Sequence, residues 1–206
     1  MSPGRSGRQK KFKHKRQKSN KLPIAIGLLI VITVVVVLIY MFVINEPDGS
    51  KSSGGVVLLQ TSKGNITIQL RDDRPITTSN FKNLIEQGVY DGTIFHRVIA
   101  GFMIQGGDPT GTGYGDPSIP NIQDELDGVN ENNRGTISMA NTGVANTGSS
   151  QFFINVVNNN YLDTKHSVFG TVTSGMNVVD EISNMETDAN DKPLSDVILI
   201  KAEIIS

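Results

Sequence analysis

Arg97, Phe102, Met103 and Gln105 fall within nine positions of one another, in the run Phe95-His96-Arg97-Val98-Ile99-Ala100-Gly101-Phe102-Met103-Ile104-Gln105-Gly106-Gly107-Asp108. Aromatic and branched side chains alternate with His96 and Arg97, the period-two pattern of a strand with one apolar face. Two adjoining extended segments of this kind set a guanidinium and a carboxamide beside an aromatic ring and a thioether. Such a site can hold a small apolar ring while a single cation reaches over it. The same residues also suit a plain barrel strand whose arginine forms a surface ion pair, and this run alone does not decide between the two.

A second stretch shifts the balance. It is Ser138-Met139-Ala140-Asn141-Thr142-Gly143, continuing through Gly148-Ser149-Ser150-Gln151-Phe152-Phe153-Ile154. The pairing of FHR…GFMIQGGD with SMANTG…GSSQFFI resembles the cyclophilin family of peptidyl-prolyl isomerases, and the similarity runs from about Val56 to Ile204. The pattern LD-x-KH-x-VFG, here Leu162 to Gly170, belongs to the same family.

The resemblance implies a reaction that breaks no covalent bond. Rotation about an X–Pro amide meets a barrier of about 18–20 kcal/mol, because planarity carries resonance. As the amide twists, the proline nitrogen regains its lone pair, and a fixed cation near it stabilises the twisted state over either planar one. Arginine suits this role, being always charged and offering a rigid fork of donors. By the family match, Arg97 is the catalytic residue and Gln105 orients it. Phe102, Met103, Phe153, Leu162 and His166 line the proline pocket, Ala140 and Asn141 pair with the substrate backbone as an added strand, and Gln151 supplies a further polar contact. Tyr161 stands where the best-known eukaryotic members carry Trp; it still fills the rim but lacks the indole donor, so cyclosporin binding is expected to be weak. No cofactor and no metal are required. The substrates implied are proline-containing polypeptides, unfolded or freshly exported, and the domain is expected to act as a monomer. The alternative is a non-catalytic module that docks proline peptides at the membrane.

Composition excludes several other chemistries. There is no cysteine, hence no disulfide, thiolate metal site or cysteine nucleophile, and three scattered histidines (His14, His96, His166) do not make a metal centre. Ser149 and Ser150 lack the G-x-S-x-G context of a serine hydrolase. The glycine-rich loop Thr110–Gly115 has neither phosphate-binding signature, and is expected to form a flexible rim over a neighbouring specificity pocket.

The net charge of −1 conceals an asymmetry: residues 1–45 carry nine Lys/Arg and no acid, and the rest carry ten basic residues against all 20 acids. Residues 1–21 are too polar to fold alone and read as a basic cytoplasmic tail. Residues 22–44 are almost wholly apolar, and the 21 residues from Ile24 to Ile44 would span about 32 Å as a helix, matching a hydrocarbon core of about 30 Å. This reads as a single transmembrane signal anchor, with the basic side cytoplasmic and the remainder extracytoplasmic. A nucleic-acid arm is the rival reading of the tail; the acidic remainder argues against nucleic acid as a partner of the domain. Residues 45–55 form a polar linker with a reach of about 18 Å, which keeps the domain (56–206) near the membrane surface.

The elements that must position the candidate site are short. The fold expected is mainly β, a closed antiparallel eight-stranded barrel capped by two helices. Strands are expected over Val56–Thr61, Ile66–Leu70, Thr93–Ile99, Phe102–Gln105, Gly135–Ala140, Gln151–Val156, Val168–Thr173 and Val197–Ile205. Helices are expected near Asn80–Gln87, with Thr77 to Asn80 as cap candidates, and near Met176–Asn184.

Overall fold

The computed structural model describes residues 54–206. The basic tail, the apolar span and all but the last two residues of the linker lie outside the described residues. Among the described residues no helix is long and apolar enough to cross a membrane.

Alternation of apolar and polar side chains produces the expected hairpin of β1 (Val56–Thr61) and β2 (Gly64–Leu70), whose inward residues Val57, Leu59, Ile66 and Ile68 are fully buried. Five of the remaining strands lie within a residue of their expected ends: β5 (Met103–Gly106), β6 (Thr136–Met139), β7 (Phe152–Asn155), β8 (Val168–Ser174) and β9 (Ile198–Ile204), while β3 (Thr93–Ile94) occupies only the start of the third expected segment. The segment expected as one strand over Thr93–Ile99 is two. It breaks at Phe95–His96, after which β4 covers Arg97–Ile99.

That break corrects the closed eight-stranded barrel. The sheet has nine strands in the order β3-β9-β1-β2-β8-β6-β7-β5-β4, and every neighbouring pair is antiparallel. The first half of the segment pairs with β9 at one edge, and the second half pairs with β5 at the other. The two edges are therefore consecutive in the chain and share no ladder. The sheet curls, but as a hydrogen-bonded structure it stays open.

Helix α1 spans Pro75–Glu86 and starts five residues earlier than its apolar spacing suggests. Pro75 at the first position has the right φ and no N–H to leave unpaired. The first amides are capped from a distance: the Glu125 carboxylate accepts from Ile76 N at 3.0 Å and Thr77 N at 2.8 Å, which also places a negative charge at the positive end of the helix dipole. Phe81 then packs against Tyr90, Phe152 and Phe169 at centroid distances of 5.0, 5.5 and 5.1 Å and is fully buried. Helix α2 (Met176–Ser183) buries Val178, Val179 and Ile182, as its spacing predicts. Each of these large side chains contributes about 1.5–3 kcal/mol by leaving water.

Candidate active site

The β4–β5 hairpin sets Arg97 opposite Gln105, Val98 opposite Ile104 and Ile99 opposite Met103. Val98 and Ile104 face the core, so their neighbours face outward. The register carries across the sheet, Gln105 opposite Phe153 and Phe153 opposite Ser138. Arg97, Gln105, Phe153 and Ser138 thus form one row over four strands, because directly paired residues share a face. The approach of β5 to β7 at the end of this row needs Gly107: its φ is +80°, and a Cβ there would lie 2.8 Å from the Phe152 ring and the Ser150 carbonyl.

Above the row is a groove of about 190 Å³. Arg97, Phe102, Met103 and Gln105 line one side of it, and Ala140, Asn141, Phe153, Leu162 and His166 the rest. Met103 and Phe153 are nearly inaccessible elsewhere, at 1% and 4% exposure, so the groove floor is packed from behind. Two of the expected residues sit outside the lining. Tyr161 is exposed and stacks on Phe102 with centroids 6.1 Å apart and planes at 21°. Gln151 lies in a second hollow, of about 510 Å³, which shares Gln105, Ala140 and Asn141 with the groove.

The polar partners are specific. Asp191 Oδ2 lies 3.5 Å from Arg97 Nε, both side chains being partly exposed. Asp191 is held by its own carbonyl, which accepts from Val98 N at 2.8 Å, and it adopts a left-handed φ of 63° that aspartate tolerates. Gln105 faces Arg97 across the ladder, yet its amide donates to Gln151 Oε1 at 2.8 Å, and Gln151 in turn donates to the Gly113 carbonyl at 3.0 Å. The glutamine chain therefore runs toward the glycine loop, and the fixed contact at Arg97 is Asp191, a pairing about ninety residues apart that no local pattern announces.

His166 Nδ1 lies 3.0 Å from the Met139 carbonyl, and the ring meets Phe153 edge-on at 5.2 Å. A carbonyl only accepts, so Nδ1 carries the proton in the neutral ring. Burial holds the His166 pKa below the ordinary histidine value, the Met139 bond opposing it less strongly. His96 is buried outside the groove with no partner for either ring nitrogen, and burial lowers its pKa too. The Ala140 amide is bonded to the Gln151 carbonyl at 3.0 Å, whereas no intramolecular main-chain bond engages Asn141 among the described residues.

The glycine loop is not slack. The Asp108 carboxylate, fully buried, accepts from Thr110 N and Oγ1, both at 2.8 Å, from Gly113 N at 2.6 Å and from Gly115 N at 3.1 Å. Burial by itself would raise the Asp108 pKa; bonds from Thr110, Gly115 and Gly113 outweigh it and leave the value below normal. The expected flexible rim is a rim, but its backbone is fastened to one side chain. Among the described residues no cluster of His, Asp or Glu has the geometry of a metal site.

The model for cyclophilin-type peptidyl-prolyl cis-trans isomerases matches residues 56–204. The chain belongs to that family. It is 51% identical over 140 residues to the peptidyl-prolyl cis-trans isomerase-like 1 of Rhizopus delemar, covering 66% of this chain and 84% of the relative. It is 42% identical over 153 residues to the Gibberella zeae protein of the same name, covering 72% of this chain and 94% of that one. The described domain superposes on a cyclophilin-type isomerase of Cryptosporidium parvum, crystallised in the presence of the dipeptide Ala-Pro, with a TM-score of 0.70 and 34% identity, over 73% of this chain and 99% of the other. The protein is a cyclophilin-type peptidyl-prolyl cis-trans isomerase.

Proposed function

We propose that this cyclophilin isomerises X–Pro bonds by seating the proline ring between Met103, Phe102 and Phe153 while Arg97 stabilises the twisted amide. The observation that carries the reading is the single row of Arg97, Gln105 and Phe153: it holds one cation on the rim of an apolar groove of about 190 Å³. Asp191 against Nε restrains the guanidinium at one edge, so the terminal N–H groups turn toward the amide. Asn141, with its main chain unengaged, receives the residue ahead of proline as an added strand. Gln105 and Gln151 form the wall between the groove and the adjoining hollow, where side chains further upstream lie.

In the same reading residues 22–44 anchor the enzyme in a membrane with the basic tail inside and the domain outside, where newly exported chains present unfolded proline segments. The support is the sequence: nine basic residues and no acid before the end of the apolar span, and acidic residues soon after it.

The deciding experiment is a protease-coupled isomerisation assay on a proline tetrapeptide, using the full-length chain in detergent micelles. Arg97→Ala is expected to lower kcat/KM by about 100-fold, the usual effect of deleting one preorganised donor. Equal rates for wild type and variant would leave only the docking reading.

A further inference from the structure

The two sides of the groove come from segments that no β ladder connects. Phe102 and Met103 precede and begin β5, whereas Leu162 and His166 belong to a 3₁₀ turn (Asn160–Leu162) and the loop after it. Between them lie four buried asparagines, Asn130, Asn132, Asn155 and Asn159, at 7, 0, 0 and 3% exposure.

We propose that Asn159 is a positioning residue that fixes the distance between the two groove walls; the proposal rests on the isomerase mechanism above. Its Nδ2 donates to the Phe102 carbonyl at 2.9 Å and to Asn155 Oδ1 at 2.8 Å. Its own carbonyl accepts from Leu162 N at 2.8 Å, and its amide donates to the Asn132 carbonyl at 2.8 Å. One residue thus grips a main-chain atom of each wall. The neighbouring asparagines complete the brace. Asn155 Nδ2 donates to Thr136 Oγ1 at 2.9 Å and more weakly to Asn132 Oδ1 at 3.3 Å, and Ser138 Oγ donates to that same oxygen at 2.7 Å. Asn132 donates from its amide and Nδ2 to Asp163 Oδ1 at 2.7 and 3.1 Å. Asn130 Nδ2 donates to the carbonyls of Asp163 at 2.5 Å and His166 at 3.0 Å.

The choice of amides over apolar filling is informative. Close packing sets how much room the segments have, and hydrogen bonds, being directional, add which atoms must face one another. A buried network left half satisfied costs more than none, so the segments have one arrangement available. A groove matched to a five-membered ring needs that constraint, because a misplacement of about 1 Å at a reacting centre can cost about 100-fold in rate.

The test compares full-length wild type in detergent micelles with Asn159→Leu, Asn159→Ser, Ile85→Ala and Arg97→Ala. Isomerisation is assayed well below the lowest melting temperature of the set. Asn159→Leu keeps the branched shape in a larger side chain and removes both donors; Asn159→Ser is smaller and keeps one. Ile85→Ala lowers stability from α1, which contributes no residue to the groove lining. The expected result is a loss of about tenfold in kcat/KM for Asn159→Leu and a smaller loss for Asn159→Ser, with Ile85→Ala within about twofold of wild type at a comparable fall in Tm. If Asn159→Leu does not fold, Asn159→Ser decides. Asn159 variants that lose Tm but keep wild-type kcat/KM would overturn the proposal and leave the belt as fold support. Arg97→Ala at the wild-type rate would overturn instead the mechanism on which the proposal rests.

Discussion

The proline groove and the hollow beside it share a wall of Gln105, Ala140 and Asn141, yet they are built by different means. The groove is small, about 190 Å³, and its floor is made of side chains packed from behind, Met103 and Phe153 being all but buried. The hollow is wider, about 510 Å³, and its rim is main chain: Gly113 and Gly115 held by one buried carboxylate, with Tyr114 95% exposed between them. Close packing sets the groove floor, whereas the rim is held by the bonds of a single carboxylate and depends on that one side chain. The difference teaches where selectivity resides. On the proposed mechanism the proline ring meets the close-packed floor, and the residues upstream meet a rim that depends on Asp108.

The comparison breaks most readily at Phe153. Its ring has the His166 ring edge-on at 5.2 Å and forms the groove floor, so Phe153→Ala should cost about 3 kcal/mol of stability and at least about tenfold in kcat/KM. Chemical denaturation and the coupled assay on the same preparation check both. A variant that unfolds more easily but isomerises at the wild-type rate would make Phe153 a core residue only, and the hard-floor account would fall.

A smaller effect is expected at the rim. Asp108→Asn keeps the shape of the side chain but turns a donor toward the N–H groups of Thr110 or of Gly113 and Gly115, whichever oxygen is replaced. A loss of about 1–3 kcal/mol in stability follows from a buried mismatch of that kind. Catalysis should respond selectively: KM should rise about threefold for peptides long enough to reach the hollow, with kcat unchanged. Short and long proline peptides compared on one variant provide the measurement. An equal change for both lengths would mean that the rim and the groove act as one unit.

How much of this was legible in the chain depends on distance along it. Alternation over Val56–Thr61 and Ile66–Leu70 is a local signal, and both strands form where it lies. The motif pairing placed Arg97, Phe102, Met103, Phe153, Leu162 and His166, which the structure brings to one groove although they are up to seventy residues apart. What could not be read is set by partners far away with no local mark. No Gly or Pro announces the break at Phe95–His96, which arises because the two halves of that segment find different strands. Helix α1 begins at Pro75 because Glu125, fifty residues on, supplies its cap. Asp191 and the asparagine belt belong to the same class. The asparagine-rich runs 130–133 and 158–160 carry three of its four members, and nothing local says that they meet.

The smallest expected effect concerns pH, and it sharpens the contrast because one histidine lies under each region. His166 faces the groove, and His96 sits beneath the glycine loop, where a Cβ on Gly113 would come within 3.3 Å of its ring. Burial lowers both pKa values. For His96 the charged neighbours are Asp108, which favours the proton, and Arg97 and Lys192, which oppose it; the adjacent Gln151 amide is already engaged by Gln105 and Gly113. The sign follows from linkage: the unfolded chain takes up these protons near the ordinary value of about 6.5, the folded protein only at lower pH. The stabilising contribution is therefore fully present above about pH 6.5 and is lost as the pH falls through the depressed folded values. Wild-type Tm should drop between pH 7 and pH 5, and His96→Gln, which does not titrate, should drop less. The catalytic readout separates the two regions. Protonating His166 sets a second cation beside Arg97 in an apolar groove, so kcat/KM should fall over the same interval in wild type and in His96→Gln alike. Were His96→Gln to abolish the acid loss of kcat/KM as well, the histidine under the loop would control the groove, and the two regions would not be separable.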